Sequence, residues 1–331
     1  MQPTPEYALA AVLLPFAAAA LVPLVHRLVG ERTAYVAAAV ALASLGLVGA
    51  LAAAGVRGSV VVEWIPSLGV SLALAVDGLA LLIALLATGV GVLILIYSGG
   101  YMHGEPAQPR YYASLLAFLG SMLGVAFAGD LIALFVFWEL TSLSSFLLIG
   151  HYAGERASQY AARKSMLVTV SGGLFMLVGF LLLVFVSESA GVGGPGGTYR
   201  LTTMLAESEA MRAGLRESGL LLPVLGLLGV GAATKSAQVP FHVWLPDAME
   251  APTPVSAFLH SATMVKAGVY LVGRFRPLFL PPEAPLLGPW TLAFAVLGLV
   301  TMTVAALLAV HATDIKELLA YSTASHLGLL V

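Results

Sequence analysis

Lys235 closes the apolar run Gly219 to Ala233, just ahead of Ser-Ala-Gln-Val-Pro-Phe-His-Val-Trp-Leu-Pro. Lys266 lies in the next hydrophobic segment, six residues after His260, and Glu139 interrupts a third, Leu131 to Ile149. An ionisable group in hydrocarbon costs roughly 2.5–3.5 kcal/mol on insertion scales unless it faces protein, water or a counter-charge. Three such groups of mixed sign in neighbouring apolar segments imply a buried polar path along which protons or cations move.

The neighbours of these groups sharpen the chemistry. Glu139 stands in Phe137-Trp138-Glu139-Leu140-Thr141-Ser142-Leu143-Ser144-Ser145, where the hydroxyls of Thr141, Ser142, Ser144 and Ser145 offer it a polar surround. Low dielectric and a neighbouring lysine act on a carboxyl proton in opposite senses, and that opposition lets one group load and release a proton near neutral pH. A structural ion pair holding two helices together is the competing role. Lys235 and His242, seven residues apart, would share a face if one helix ran through them, but Pro240 works against that stacking. The charge of a desolvated lysine responds to small electrostatic changes, and histidine is poised near neutrality.

In the following segment Ser256 and His260 share a face at i, i+4, as do Ala262 and Lys266. His260 and Lys266 therefore point in different directions, as a relay between two helices requires. The plainer roles are a hydrogen-bonded core histidine for His260 and snorkelling toward an interface for Lys266. Lys316 precedes Leu318-Leu-Ala-Tyr-Ser-Thr323 at a span entrance and completes the candidate path. Asp247, Glu250, Asp314 and Glu317 read as caps and solvated charges.

The elements that must position these residues are membrane spans. Of 331 residues, 60% are hydrophobic and 10% charged, with a mean hydropathy of +0.97; soluble domains run near about 25% charged. No basic run or aromatic-basic interleaving suggests nucleic-acid binding. With no cysteine, disulfides, thiolate metal sites and thiol catalysis are excluded. Phosphate-binding glycine loops, metal-ligand spacings and a nucleophilic triad are missing too, so no cofactor or metal is expected and an enzyme has no visible machinery.

Apolar runs place spans near residues 6–26, 34–54, 74–97, 111–128, 131–150, 163–187, 219–238, 253–273 and 287–310, with a further one starting at 318–331. Pro240 and Pro246 interrupt the seventh. The stretch between them is either an unwound segment, tolerated at membrane depth only inside protein or along a water-filled cavity, or an interfacial loop anchored by Trp244. The N-terminus lacks the basic region of a signal peptide, so the first run reads as a retained span. The chain stops at Leu327-Gly-Leu-Leu-Val331, whereas a span begun near Tyr321 needs about 20 residues. It therefore reads as C-terminally truncated inside a helix, with a short re-entrant end as the alternative.

Arg27, Arg32, Arg110, Arg156, Arg163 and Lys164 fall in the odd joints, while the second and fourth carry only Arg57. The positive-inside rule then puts the N-terminus outside. The sixth joint, Glu188 to Ser218, falls outside and contains the flexible loop Gly191 to Gly197.

Four stretches in order carry a family resemblance: Phe137 to Gly150, Lys235 to Met249, Ala251 to Gly268 and Asp314 to Thr323. Together they resemble the proton-translocating antiporter-like family. Its members are the large membrane subunits of respiratory complex I, those of membrane hydrogenases, and the A and D subunits of Mrp-type multisubunit Na+/H+ antiporters. The Glu-Leu-Thr-Ser-Leu-Ser-Ser run and Met264-Val-Lys-Ala-Gly268 make it most similar to the Mrp A subunits.

The resemblance implies an all-α integral membrane protein of about nine or ten transmembrane helices with a broken seventh helix. Residues 1–109 would hold helices one to three, 110–275 one complete five-helix antiporter unit, and 285–331 the start of a second, inverted unit. It implies a proton or ion path through Glu139, its partner Lys235, His242, His260 and Lys266. Na+ and H+ would be the exchanged ions, the other Mrp antiporter subunits and the lipid bilayer the partners, and the cell inner membrane the location. The other roles weighed are a redox-coupled pumping subunit of complex I or a hydrogenase, and a scaffold without its own ion path.

Overall fold

A computed structural model describes residues 3–194, 196–281 and 288–331. Residues 285–287, where the second unit and the ninth span are expected to begin, lie outside the described residues, as does Pro195 of the sixth joint.

Two antiparallel helices, α1 (Glu6–Val29) and α2 (Thr33–Ala53), open the chain. A hairpin of β1 (Gly58–Ile65) and β2 (Val70–Val76) follows, in register from Gly58 opposite Val76 to Ile65 opposite Val70, with a bulge between Glu63 and Ile65. The third span therefore begins later than expected, at α3 (Gly78–Tyr101). Residues 70–76 alternate between Val or Leu and smaller residues. They are buried as a strand, and Asp77 starts the helix by accepting the Ala80 amide at 2.9 Å. The same device, an aspartate capping the first turn, starts α5 (Leu131–Ile149) through Asp130 and α13 (Ile315–Leu330) through Asp314.

Helix α4 (Gln108–Phe127) is buried along most of its length between α1, α3 and α5. Close approach is possible because a Cβ at Gly120 would press on the Phe16 ring and one at Gly124 would enter the Phe137 ring. Helix α6 (Arg156–Ser189) starts ahead of the expected boundary at 163 and runs 34 residues against α5. The sixth joint is more ordered than its glycines suggest, since it contains α7 (Leu201–Ala206) and α8 (Ser208–Glu217). From α8 the chain bends by 113° into α9 (Leu221–Lys235), which packs on α6.

The two spans immediately after α6 are broken. Helix α9 stops at Lys235 and the chain continues through two short 3-10 turns, Phe241–Trp244 and Asp247–Glu250. The eighth span divides into α10 (Thr253–Ser256), a π-helical turn Ala257–Ala262, and α11 (Lys266–Phe275). At that second break the Thr263 hydroxyl donates to the Phe258 carbonyl at 2.6 Å, occupying a backbone acceptor at the end of the π turn. Helices α12 (Pro289–His311) and α13 close the chain as a pair whose backbones meet at Gly298 and Gly328.

Among the described residues, six apolar helical stretches are long enough to cross a membrane. Glu6–Ala53 holds both α1 and α2, and the bent pair α8–α9 makes a seventh. Successive joints are tied alternately at the two ends of the bundle. Glu31–His103, Arg110 to the His151 carbonyl, and Lys164–Asp247 tie one end. Asp77–Arg274 and the Leu74–Ala128 and Asp130–Arg200 bridges tie the other. The basic joints thus share one end, as the charge pattern requires.

Candidate ion-path site

Lys235 occupies the last turn of α9, where the partial negative charge of a helix C-terminus favours a cation, and it is 0% exposed. Its side chain crosses to α5. An ammonium has three N–H donors, and three acceptors meet them: Ser142 Oγ at 2.7 Å, Thr141 Oγ1 at 2.8 Å and the Trp138 carbonyl at 3.2 Å. The Trp138 ring centroid lies 5.4 Å from Nζ, close enough for a cation–π contribution. The sequence assigns the α5 hydroxyls to Glu139, but the structure gives Thr141 and Ser142 to Lys235. Ser144 and Ser145 bond back to carbonyls of their own helix at 2.6 and 2.8 Å.

Glu139 lies one residue beyond Trp138 and turns its carboxyl toward α6. A Cβ at Gly173 would collide with Glu139 Oε1, and that oxygen is buried without a hydrogen-bond partner. Among the described residues, the ion pairs within 4.0 Å are Glu31–His103, Lys164–Asp247 and Asp77–Arg274. The direct Glu139–Lys235 pair implied by the family resemblance is therefore not made in this conformation. Ser142 stands between the two charges, within reach of both.

The break after Lys235 exposes backbone groups that must find partners when buried. The Gln238 amide reaches the Ala233 carbonyl at 2.8 Å, and the Trp244 indole N–H donates to the Thr234 carbonyl at 2.9 Å. Thr301 of α12 accepts the Val239 amide at 3.0 Å. Trp244 and Leu245 are buried while Pro240 and Val243 are exposed, so the segment Pro240 to Pro246 is a break lying partly at the surface that turns Trp244 inward, away from an interfacial position. Ser236 ties the break to α11, donating to the Val265 carbonyl at 2.6 Å and accepting the Val269 amide at 3.1 Å.

His260 lies in the π turn, 1% exposed, with its ring 5.8 Å from that of Trp244. Neither ring nitrogen makes a close hydrogen bond, although the Ala248 backbone lies near the ring. Lys266 opens α11 just past the second break and is not the mid-helix residue that a continuous span would make it. Trp244 thus joins His260 to the end of α9, and Ser236 joins that same end to the start of α11.

His242 and Lys316 are set apart from this group. Because the helix does not run through, His242 does not stack over Lys235. It sits in the first 3-10 turn with Nδ1 buried and unpartnered, near the Lys164–Asp247 pair. Lys316 donates to the Met249 and Ala251 carbonyls at 3.0 and 3.3 Å, fastening α13 to the chain between the two breaks.

Sequence reasoning passed over the Trp138 carbonyl, Gly173, Gln238 and Thr301. Gln238 is 0% exposed with its Oε1 unpartnered, and a buried amide so close to Lys235 was a legible signal. The role of Gly173 depends on a neighbouring helix and had no local signature.

Fold and site define a polytopic membrane protein in which two broken helices place ionisable side chains inside the bundle. Residues 128–331 match the family model described as NADH:quinone oxidoreductase/Mrp antiporter, TM, and residues 64–112 match that for the N-terminus of complex I chain 5. Over 269 residues, 81% of the chain, it is 45% identical to the Na(+)/H(+) antiporter A1 subunit of Staphylococcus haemolyticus, covering 31% of that protein. It is 47% identical to a probable K(+)/H(+) antiporter A/B subunit of Rhizobium meliloti, again over 81% of the chain but 25% of the relative. The Mrp complex of a Dietzia species superposes on 97% of the chain and 33% of the matched subunit, with a TM-score of 0.83 at 37% identity. An archaeal membrane-bound sulfane sulfur reductase shares the fold, with a TM-score of 0.80 at 22% identity over 96% of the chain and 49% of its own. The chain belongs to the NADH:quinone oxidoreductase/Mrp antiporter transmembrane family. It spans about a third of the length of the relatives it matches.

Proposed function

We propose that this chain serves in the A-type member of a multisubunit monovalent cation/proton antiporter that exchanges Na+ for H+. Residues 110–275 act as its first antiporter unit. The observation that carries this reading is Lys235, a fully buried lysine whose three donors are met by neutral oxygens of α5 beside a carboxyl whose Oε1 holds no partner. The ammonium's donors are met without a direct ion pair, so approach or retreat of Glu139 changes its energy without first breaking a salt bridge. The unpartnered polar atoms of Glu139, Gln238, His260 and His242 offer positions where a moving proton or bridging water would bond. The proton passes from Lys235 to His260, through water bridging the unpartnered Gln238 Oε1 and the His260 ring, and then toward Lys266, while the Trp244 indole, a donor only, holds the break in place. His242 serves the end of the path where the basic joints lie, and Lys316 fastens α13 to the chain there. That end faces the cytoplasm, which places the N-terminus outside the cell membrane, with the other antiporter subunits docked around the unit.

The test is Na+-induced pH change in inverted membrane vesicles carrying the full assembly, with Lys235→Ala and Glu139→Ala at matched assembly levels. Both are expected to abolish exchange. Wild-type rates in either variant would remove this unit from the ion path, and dependence of transport on an oxidisable substrate would favour a redox-driven pump.

A further inference from the structure

We infer that Gly173 is a positioning residue for the Glu139 carboxyl, and that the space left by its missing side chain is the recess holding this carboxyl away from Lys235. The inference rests on the proposed exchange function and adds to it the element that keeps the two charges apart.

Three observations converge on the recess. Glu139 Oε1 occupies the place where a Cβ of residue 173 would stand, and the Trp138 ring borders the same spot at 3.4 Å from that Cβ position. Glu139 Oε1 is enclosed and unpartnered, so no hydrogen bond draws that oxygen into the recess, which it enters because room exists. The ammonium meanwhile has its acceptors on α5 and does not need the carboxyl to satisfy a donor. The preceding Gly172 does a different job: a Cβ there would collide with Thr234 of α9, the residue before Lys235. Two adjacent glycines of α6 thus admit one neighbour each, the carboxyl from α5 and the threonine from α9.

An added methyl at 173 fills the recess and drives the carboxyl back toward Ser142 and Lys235, closing the pair. Alanine is the better helix former, so the change does not weaken α6 through backbone propensity. In vesicles carrying the full assembly, Gly173→Ala should lower Na+/H+ exchange by about tenfold to a hundredfold at matched assembly, the scale expected when a reacting group is displaced by about 1 Å. Shortening the carboxyl should relieve the clash, so Glu139→Asp combined with Gly173→Ala should exchange within about threefold of Glu139→Asp alone. Glu139→Asp should give no relief to Gly172→Ala, where the obstructed neighbour is Thr234.

Wild-type exchange in Gly173→Ala overturns the proposal, as does a defect that Glu139→Asp leaves unrelieved. If Gly173→Ala alone fails to assemble, the double variant decides: assembly and exchange matching Glu139→Asp support the recess, and failure to assemble refutes it. Loss of exchange in Glu139→Ala alongside normal exchange in Gly173→Ala would sink this inference and leave the antiporter reading intact.

Discussion

Lys235 and Lys316 are both lysines held by oxygen atoms of another segment, and they differ in everything else that matters. Lys235 is enclosed, and its contacts combine one carbonyl with two hydroxyls and an aromatic face. Lys316 is half-buried on a 340 Å³ cleft also lined by Asp247, Glu250, Asp314 and Glu317, and its contacts are two main-chain carbonyls. Charge in the first setting is weakly screened, so a carboxyl moving by a few ångströms changes its energy. Charge in the second is screened by water and by carboxylates already present. On the proposed function, burial with rotatable hydroxyl partners suits Lys235 to switching, whereas Lys316, on fixed carbonyls at the surface, fastens two segments.

The sharpest way to break that comparison is to remove the hydroxyls. Thr141→Val with Ser142→Ala leaves the buried ammonium with the Trp138 carbonyl and ring. Each lost acceptor should cost roughly 1.5–3 kcal/mol, the range for hydrogen bonds to charged groups. Thermal unfolding in detergent reads the loss, and adding Lys235→Met should recover much of it because the unsolvated charge is gone. Stability unchanged by the double substitution would mean that the hydroxyls do not hold the charge.

Lys316→Gln probes the other side with a smaller expected effect. Glutamine still donates to the Met249 and Ala251 carbonyls while losing the charge, so exchange should stay within about threefold of wild type, and Lys316→Ala should reduce assembly as the α13 contact is lost. Complete loss of exchange in Lys316→Gln would show that its charge is on the path and erase the distinction.

The smallest effect concerns a buried group outside the spans. His151 follows α5, its ring edge-on to Tyr111 and Tyr152 at 5.5 and 5.1 Å. Burial, reinforced by the Arg110 charge, pushes its pKa down from 6.5 to about 4. The folded form therefore stays neutral while the unfolded chain takes up a proton. Stability from this residue is complete above about pH 6.5 and is lost as pH falls through about 4. The unfolding midpoint should decline across that window, and His151→Phe should flatten the decline. An identical decline in the variant would assign it to other groups.

Much of the molecule was legible before any tertiary information. Long apolar runs separated by charged joints located the spans, because the cost of leaving backbone and charge in hydrocarbon acts on every residue in turn. The same argument singled out Glu139, Lys235 and Lys266, and Pro240 marked the break in the seventh span. The second break was hidden. There the Thr263 hydroxyl takes the Phe258 carbonyl, and serine and threonine make such bonds in many helices without breaking them, so the residue types give no distinct signal. The hairpin was hidden for a related reason, since β2 is buried and its apolar residues merge with those of α3.

The sequence alone determined that the chain is a helical membrane protein, that Glu139 and Lys235 fall within its apolar segments, and roughly where most spans run. Those outcomes follow from local terms such as hydropathy and the missing amide of proline. Only the tertiary structure decided that Thr141 and Ser142 serve Lys235, that the carboxyl lies in the Gly173 recess, and that Trp244 is buried against His260. Each depends on how one helix is rotated against another, which is set by side-chain packing summed over the whole interface.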